Sequence, residues 1–233
     1  MRLLKTGVLG LDEMLNGGIP ESHIVVVYGG MGTGKSTFAL QFIVNGLKNG
    51  EKAIYISLEE REKEIIDTAK SFGWDLEQYM RPENDKLRLV RLDPNDVKVT
   101  LHRFKNELPH MIQSFGAQRL VIDSVTLFEM MFSDEAARRL NLFEIFDLIK
   151  DTGVTTLVTS EVSLSDYNAS RYGLVEYVAD GAIMFRTIRK DDLREAKLVC
   201  EVVKMRRKRH SRAIKPYVIS QEGILVHTDS EVF

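Results

Sequence analysis

The sequence predicts an α/β fold with a large, mostly parallel sheet, and three observations carry that expectation. Short β-branched apolar runs alternate with amphipathic segments as far as Ser160, the pattern of a parallel sheet covered by helices on both faces. A glycine-rich turn, Gly29-Gly30-Met31-Gly32-Thr33-Gly34-Lys35-Ser36, joins the first run to the first amphipathic segment. From Ala182 the alternation stops. Three or four strand-like runs then follow with only short polar turns between them, Arg189 to Arg194 and Gln221-Glu222-Gly223, which suggests an antiparallel extension of the sheet.

The elements follow in order. Ile24 to Tyr28 is apolar and β-branched, as a buried parallel strand requires, and Phe38, Ala39, Phe42, Ile43 and Leu47 then recur at helical spacing. Ala53 to Leu58 reads as the next strand. Glu62 to Phe72 reads as a helix with Ile65, Ile66, Ala69 and Phe72 on one face. Leu87 to Leu92 is a third strand. Thr100 to Phe115 is predicted as a helix despite Pro109, because Leu101, Phe104, Leu108, Met111, Ile112 and Phe115 keep helical spacing. Arg119 to Asp123 and Thr155 to Ser160 are further strands, separated by a long helix over Asp134 to Lys150.

At 233 residues, the chain suits a single domain spanning 1–233 with a sizeable core. A formal charge of −2 points to no particular partner. The lone Cys200 excludes an internal disulfide framework and, within Leu198-Val199-Cys200, reads as core packing. No apolar stretch approaches the length of a membrane span and no leader pattern opens the sequence, so the expectation is a cytoplasmic protein with no membrane partner.

Gly29 to Ser36 fits G-x-x-x-x-G-K-[ST], and its place between strand and helix is the one phosphate binding requires. Glycines let successive backbone N–H groups converge on anionic oxygens, and the helix N-terminus adds a favourable dipole. Lys35 is then placed for the β and γ phosphates, and the Ser36 hydroxyl for magnesium. A second metal-side acid is expected, and Leu120-Val121-Ile122-Asp123 offers it: an apolar strand delivering Asp123 to the carboxyl edge of the sheet. Glu59 and Glu60 follow the second strand at that same edge. One of them can orient water, and two adjacent acids raise the pKa of one, but a solvated pair opening a helix fits the residues equally well.

Lys204 to Lys215 holds seven cations (Lys204, Arg206, Arg207, Lys208, Arg209, Arg212, Lys215) and no acid. Crowded cations repel one another unless an anion is near, which favours a phosphate-binding surface over a solvated face. Charge does not decide between a nucleotide and a nucleic-acid backbone.

Taken together, these residues resemble the KaiC-like ATPases of the RecA/RadA superfamily, in their single-domain archaeal form. The likeness runs through Thr6-Gly7-Val8-Leu9-Gly10-Leu11-Asp12, Gly17-Gly18-Ile19-Pro20, the glycine loop, Glu59-Glu60 and Ser71-Phe72-Gly73-Trp74-Asp75-Leu76. It continues through Val121-Ile122-Asp123-Ser124, Thr159-Ser160-Glu161, Arg171-Tyr172-Gly173, Val178-Ala179-Asp180 and Lys204-Met205-Arg206. The resemblance implies a RecA-like fold, ATP and Mg2+ as ligands, and a homo-oligomeric ring such as a hexamer. It implies that Gly29 through Thr37 cradle the phosphates, that Glu59 and Glu60 are the catalytic pair, and that Ser71 lies near the base. Lys204, Met205, Arg206, Lys208 and His210, on a Lys-x-Arg-x-x-x-His spacing, and Ser220 and Gln221 are implied to reach the nucleotide of a neighbouring subunit. Two departures stand out. Met31 replaces the usual small residue or proline, and Arg207 and Lys208 replace small residues of Gly or Thr type.

Two further functions compete with ATP hydrolysis. One is a recombination accessory binding single-stranded DNA, suggested by the surplus cations and by Tyr167, Arg171, Tyr172 and Tyr177, whose tyrosines equally suit a subunit boundary. The other is a nucleotide-gated signalling scaffold, which has no need of Glu59-Glu60.

Overall fold

Residues 2–163, 165–189 and 196–232 are described by a computed structural model. Two short strands, β1 (Leu3–Leu4) and β2 (Ile19–Pro20), pair antiparallel around the single-turn helix α1 (Leu11–Met14). The main sheet then begins with β3 (Ile24–Gly29), followed by α2 (Lys35–Lys48), β4 (Ala53–Ser57), α3 (Glu62–Ser71) and β5 (Leu87–Arg91). Next come α4 (Val97–His102), a π-helical segment Arg103–Glu107, α5 (Leu108–Phe115), β6 (Arg119–Asp123), α6 (Val125–Met130), α7 (Glu135–Asp151) and β7 (Thr155–Glu161). The chain finishes with α8 (Val175–Val178), β8 (Gly181–Ile188), β9 (Lys197–Met205), β10 (Lys215–Ser220) and β11 (Gly223–Val226).

Among the described residues, nine strands form one sheet in the order β11-β10-β9-β8-β3-β7-β6-β4-β5. Pairings from β5 to β8 are parallel, and those from β8 to β11 are antiparallel. The expected antiparallel extension is therefore present, with one refinement: β8 itself joins β3 in parallel, and the change of direction comes at β9. The sequence could not show this, because an apolar strand reads the same in either direction. Most of the expected turn at Arg189 to Arg194 lies outside the described residues.

Alternation within the buried strands splits the core into two layers. Val25, Val27, Val121 and Leu157 meet Phe38, Phe42 and Ile43 of α2 on one face. Ile24, Val26, Ile122 and Val158 meet Phe104, Leu108, Ile145 and Phe146 on the other. The predicted helix around Pro109 is in fact three segments in line. Pro109, which has no N–H to donate, falls in the first turn of α5, just after the wide π turn. The short helix α6 escaped the sequence reading because a six-residue element shows too little periodicity.

A buried ion pair fastens α2 to the starting edge of the sheet. Arg119 is 1 % exposed; its Nε donates to Glu51 at 2.5 Å, and its Nη1 donates to the Phe42 and Lys5 carbonyls at 2.7 and 2.9 Å. The guanidinium lies 4.4 Å from the Phe42 ring, and Gly46 leaves it room, since a Cβ there would fall 2.4 Å from Nε.

Candidate active site

The glycine turn leaves the buried carboxyl end of β3 and enters α2 through Gly34, whose φ of +84° is a left-handed conformation that favours glycine. Gly29 has no room for a side chain either, because a Cβ would fall 2.3 Å from the Phe185 carbonyl oxygen. Gly30 and Gly32, by contrast, face open space, and Met31 between them is 98 % exposed. The loop is pinned from within. Thr33 Oγ1 donates to the Gly30 carbonyl at 2.8 Å, and Tyr217 OH donates to the Thr33 carbonyl at 2.5 Å. Lys35 folds back so that its ammonium donates to the carbonyls of Gly29 and Gly30, both at 3.0 Å. Burial pulls the Lys35 pKa down, and the charges of Asp123, Glu161 and Glu59 oppose that shift. The ammonium's hydrogen-bond partners are those two carbonyls, and the three acids act on it through their charge rather than by contact.

Asp123 ends β6, in register with Ser57 at the end of β4. Both of its carboxylate oxygens are engaged: Oδ2 accepts from Tyr55 OH at 2.6 Å, and Oδ1 accepts from Thr159 Oγ1. Burial, then Asp123, pushes the Tyr55 phenol well above its ordinary value, so it stays a donor. In the sequence Tyr55 carries no signal and Thr159 only a place in the Thr159-Ser160-Glu161 match without a role, because each looks like an ordinary strand residue until strand order is known.

Glu59 and Glu60 leave β4 beside this group. Glu59 is exposed, and its backbone N–H donates to Ser57 Oγ at 3.2 Å. Glu60 is half-buried, and burial, then the charges of Asp123, Glu59 and Glu64, raises its carboxyl above the usual range. The adjacent Glu59 thus contributes less to this shift than burial and Asp123 do. Thr126 of α6, also unforeseen, links the next strand: its hydroxyl lies 3.1 Å from Ser160 Oγ and 2.9 Å from the Glu161 backbone N.

Hard oxygen donors suit magnesium: Ser36 is the second residue of α2, which packs on the sheet face of Val121 and Tyr55, and Tyr55 donates to Asp123. Mg2+ is commonly held by one or two protein oxygens together with substrate phosphates.

Of the residues implied to serve a neighbour, Lys204 to His210 lie at the opposite edge. Lys204 is in register with Ala182, and the Arg206 N–H donates to the Asp180 carbonyl, at the level where β3 starts. The loop is five residues further along β3, about 16 Å away. Lys204 Nζ donates to the Glu176 and Ala179 carbonyls at 2.9 and 2.7 Å, and burial lowers its pKa. Arg206 donates to the Tyr177 carbonyl at 2.9 Å and lies 3.6 Å from Asp180. Lys208 donates to the Gly18 carbonyl at 2.8 Å, Met205 is buried, and His210 Nδ1 sits 2.9 Å from the Ser211 carbonyl.

Ser220 and Gln221 lie elsewhere. Ile219 stands over Gly34, and a Cβ on Gly223 would fall 2.8 Å from Trp74 Cζ2. Their turn therefore flanks the loop of its own chain, on the side of Ser71, whose hydroxyl donates to the Thr68 carbonyl at 2.7 Å. Among the tyrosines, Tyr167 and Tyr177 are exposed, whereas Tyr172 lies under the Arg138 guanidinium at 3.8 Å and Arg171 pairs with Glu161 at 2.9 Å.

Comparison with known proteins agrees with this geometry. The family model described as "ATPase: KaiC" matches residues 4–231. A UPF0273 protein of Pyrococcus furiosus is 32 % identical over 244 aligned positions, covering 98 % of this chain and 95 % of its own. The circadian clock oscillator protein KaiC of Acaryochloris marina is 32 % identical over 227 residues, covering 94 % of this chain but 42 % of its own, so this chain spans less than half of that relative. The crystal structure of a KaiC-like protein from the archaeon Pyrococcus horikoshii superposes with a TM-score of 0.84 at 35 % identity, covering 97 % of this chain and 99 % of the other. The fold is thus that of a KaiC-like, RecA-type P-loop protein with archaeal relatives of the same length, and the chain belongs to the KaiC ATPase family.

Proposed function

We propose that this chain, acting as one domain, is a magnesium-dependent ATP hydrolase whose nucleotide site is completed by a second copy of itself. The observation that carries this reading is the separation of the site into two edges. Lys35, Asp123, Glu59 and Glu60 gather at the loop, while Lys204, Arg206 and His210 lie at the far edge, beyond reach of their own loop. Stacked head to tail, copies bring the second edge of one to the first edge of the next.

The roles follow from the chemistry. Lys35 exchanges its two loop carbonyls for phosphate oxygens, which are stronger partners because they are charged. Ser36 and Asp123 hold magnesium, which supplies charge neutralisation at the phosphates. Glu59, exposed at the edge, orients the attacking water, and half-buried Glu60 tunes it by its charge. Ser71, Ser220 and Gln221 border the nucleotide on the loop's own side. Lys204 and Arg206 of the adjoining copy, with Met205, Lys208 and His210 shaping that turn, stabilise charge as it develops. Arg206→Ala is expected to bind ATP normally and to lose about 10³-fold or more in turnover. Near-normal turnover in that variant overturns the shared site, and mass measurement with and without ATP reports assembly directly.

A second reading rests on Arg207, Arg209 and Arg212. All three are exposed, and among the described residues none lies within 4.0 Å of a carboxylate. Arg207 also holds φ at +59°, unusual for a residue other than glycine. A phosphate polymer such as single-stranded DNA would occupy such a turn. Filter binding across a salt series tests it, and no retention at low salt removes it.

A further inference from the structure

We propose that Tyr55 is a positioning residue for the metal-side carboxylate, holding Asp123 jointly with Thr159 in the one orientation that serves a magnesium-bound nucleotide. The inference rests on the reading of Asp123 as the metal-side acid.

The geometry follows from sheet register. Tyr55 pairs across the sheet with Val121, so Asp123, two residues on, is its diagonal neighbour on the same face. A diagonal neighbour is out of reach for a short side chain but within reach of a tyrosine. The phenol duly spans the gap and donates to Oδ2 at 2.6 Å. Thr159 approaches from the other side: Ile122 pairs with Val158, so Thr159 is level with Asp123 and donates to Oδ1. The carboxylate is thus clamped from β4 on one side and β7 on the other.

Tyr55 is 1 % exposed, in a layer otherwise made of apolar side chains from α2 and the strands. Phenylalanine would fill the same space, so the hydroxyl's partner is what distinguishes tyrosine here. A carboxylate with one donor on each oxygen cannot rotate about its Cβ–Cγ bond without breaking a hydrogen bond. Its remaining lone pairs then point in fixed directions, which orients metal-bound water. Groups that orient the ligands of a metal site commonly change affinity or activity by about 10–100-fold when removed.

The test uses the full chain with ADP and Mg2+, so that binding is read apart from turnover. Tyr55→Phe is expected to melt within a few degrees of the parent and to bind ADP equally well in EDTA. It is expected to need about tenfold more Mg2+ to reach half of the metal-dependent gain in ADP affinity. Thr159→Val removes the other donor without changing shape and is expected to shift the same midpoint in the same direction. It carries the test should Tyr55→Phe fold poorly. An unchanged Mg2+ midpoint in the folded variants overturns the positioning role. Asp123→Asn serves as the control: if it too leaves the midpoint unchanged, the metal-side reading of Asp123 itself fails.

Discussion

Where the strands start, buried Arg119, Glu51 and Asp180 stand in ion pairs; where the parallel strands end, half-buried Lys35 and Glu60 and buried Glu129 stand in none among the described residues. At the starting edge, Arg119 meets Glu51 and two carbonyls. Asp180 accepts from the Ile24 N–H at 3.1 Å and from Lys150 at 3.2 Å, and these hold its carboxyl below the usual range against the opposing effect of burial. At the finishing edge, Lys35 has only carbonyls, Glu60 sits among other acids, and Glu129 of α6 is fully buried with neither carboxylate oxygen hydrogen-bonded among the described residues. Neutralised charge fastens a structure. Charge left over is available to a ligand or to a proton.

The contrast predicts which loss each edge suffers. The largest effect is expected at the finishing edge, where Glu59→Gln should leave melting and ATP binding unchanged and reduce turnover by about 10²–10⁴-fold. Turnover close to the parent's would assign the water-orienting role to Glu60. At the starting edge, Arg119→Met should leave buried Glu51 with only the exposed Arg2, 3.2 Å from its other oxygen, as a charged partner, costing about 3 kcal/mol in denaturant unfolding. A loss under about 1 kcal/mol would mean that Arg2 and water suffice for Glu51 there.

The smallest effect concerns Glu129. Burial, opposed by Arg138 and reinforced by Glu176, raises its carboxyl from 4.5 to about 8. The unfolded chain ionises first as pH rises, so the stability due to this proton is complete below pH 4.5 and lost progressively towards pH 8. Glu129→Gln should abolish that decline and stabilise the protein at pH 8.5 by about 1–3 kcal/mol, some 3–10 °C in Tm. Parallel melting profiles for parent and variant across this range would show that Glu129 titrates as an ordinary acid.

Much of the fold was legible because it rests on local signals. Ile24 to Tyr28, the glycine turn and the spacing from Phe38 to Leu47 specify strand, loop and helix without reference to anything distant. The loop residues and Asp123 were legible for the same reason, as a short motif and a strand end. Less legible were the π segment before Pro109 and the helix α6, whose lengths are too small for a period to register.

The sequence by itself determined the element types, the phosphate loop and the acids at the strand ends, since each depends on residues a few positions apart. Only the tertiary structure decided that β8 runs parallel beside β3, that Tyr55 and Thr159 grip Asp123, and that the loop's edge is not the edge of Lys204 to His210. It also set Ser220 and Gln221 beside their own chain's loop. These are facts of strand order and register. They join residues up to about 190 positions apart, and no local pattern encodes which strand lies next to which.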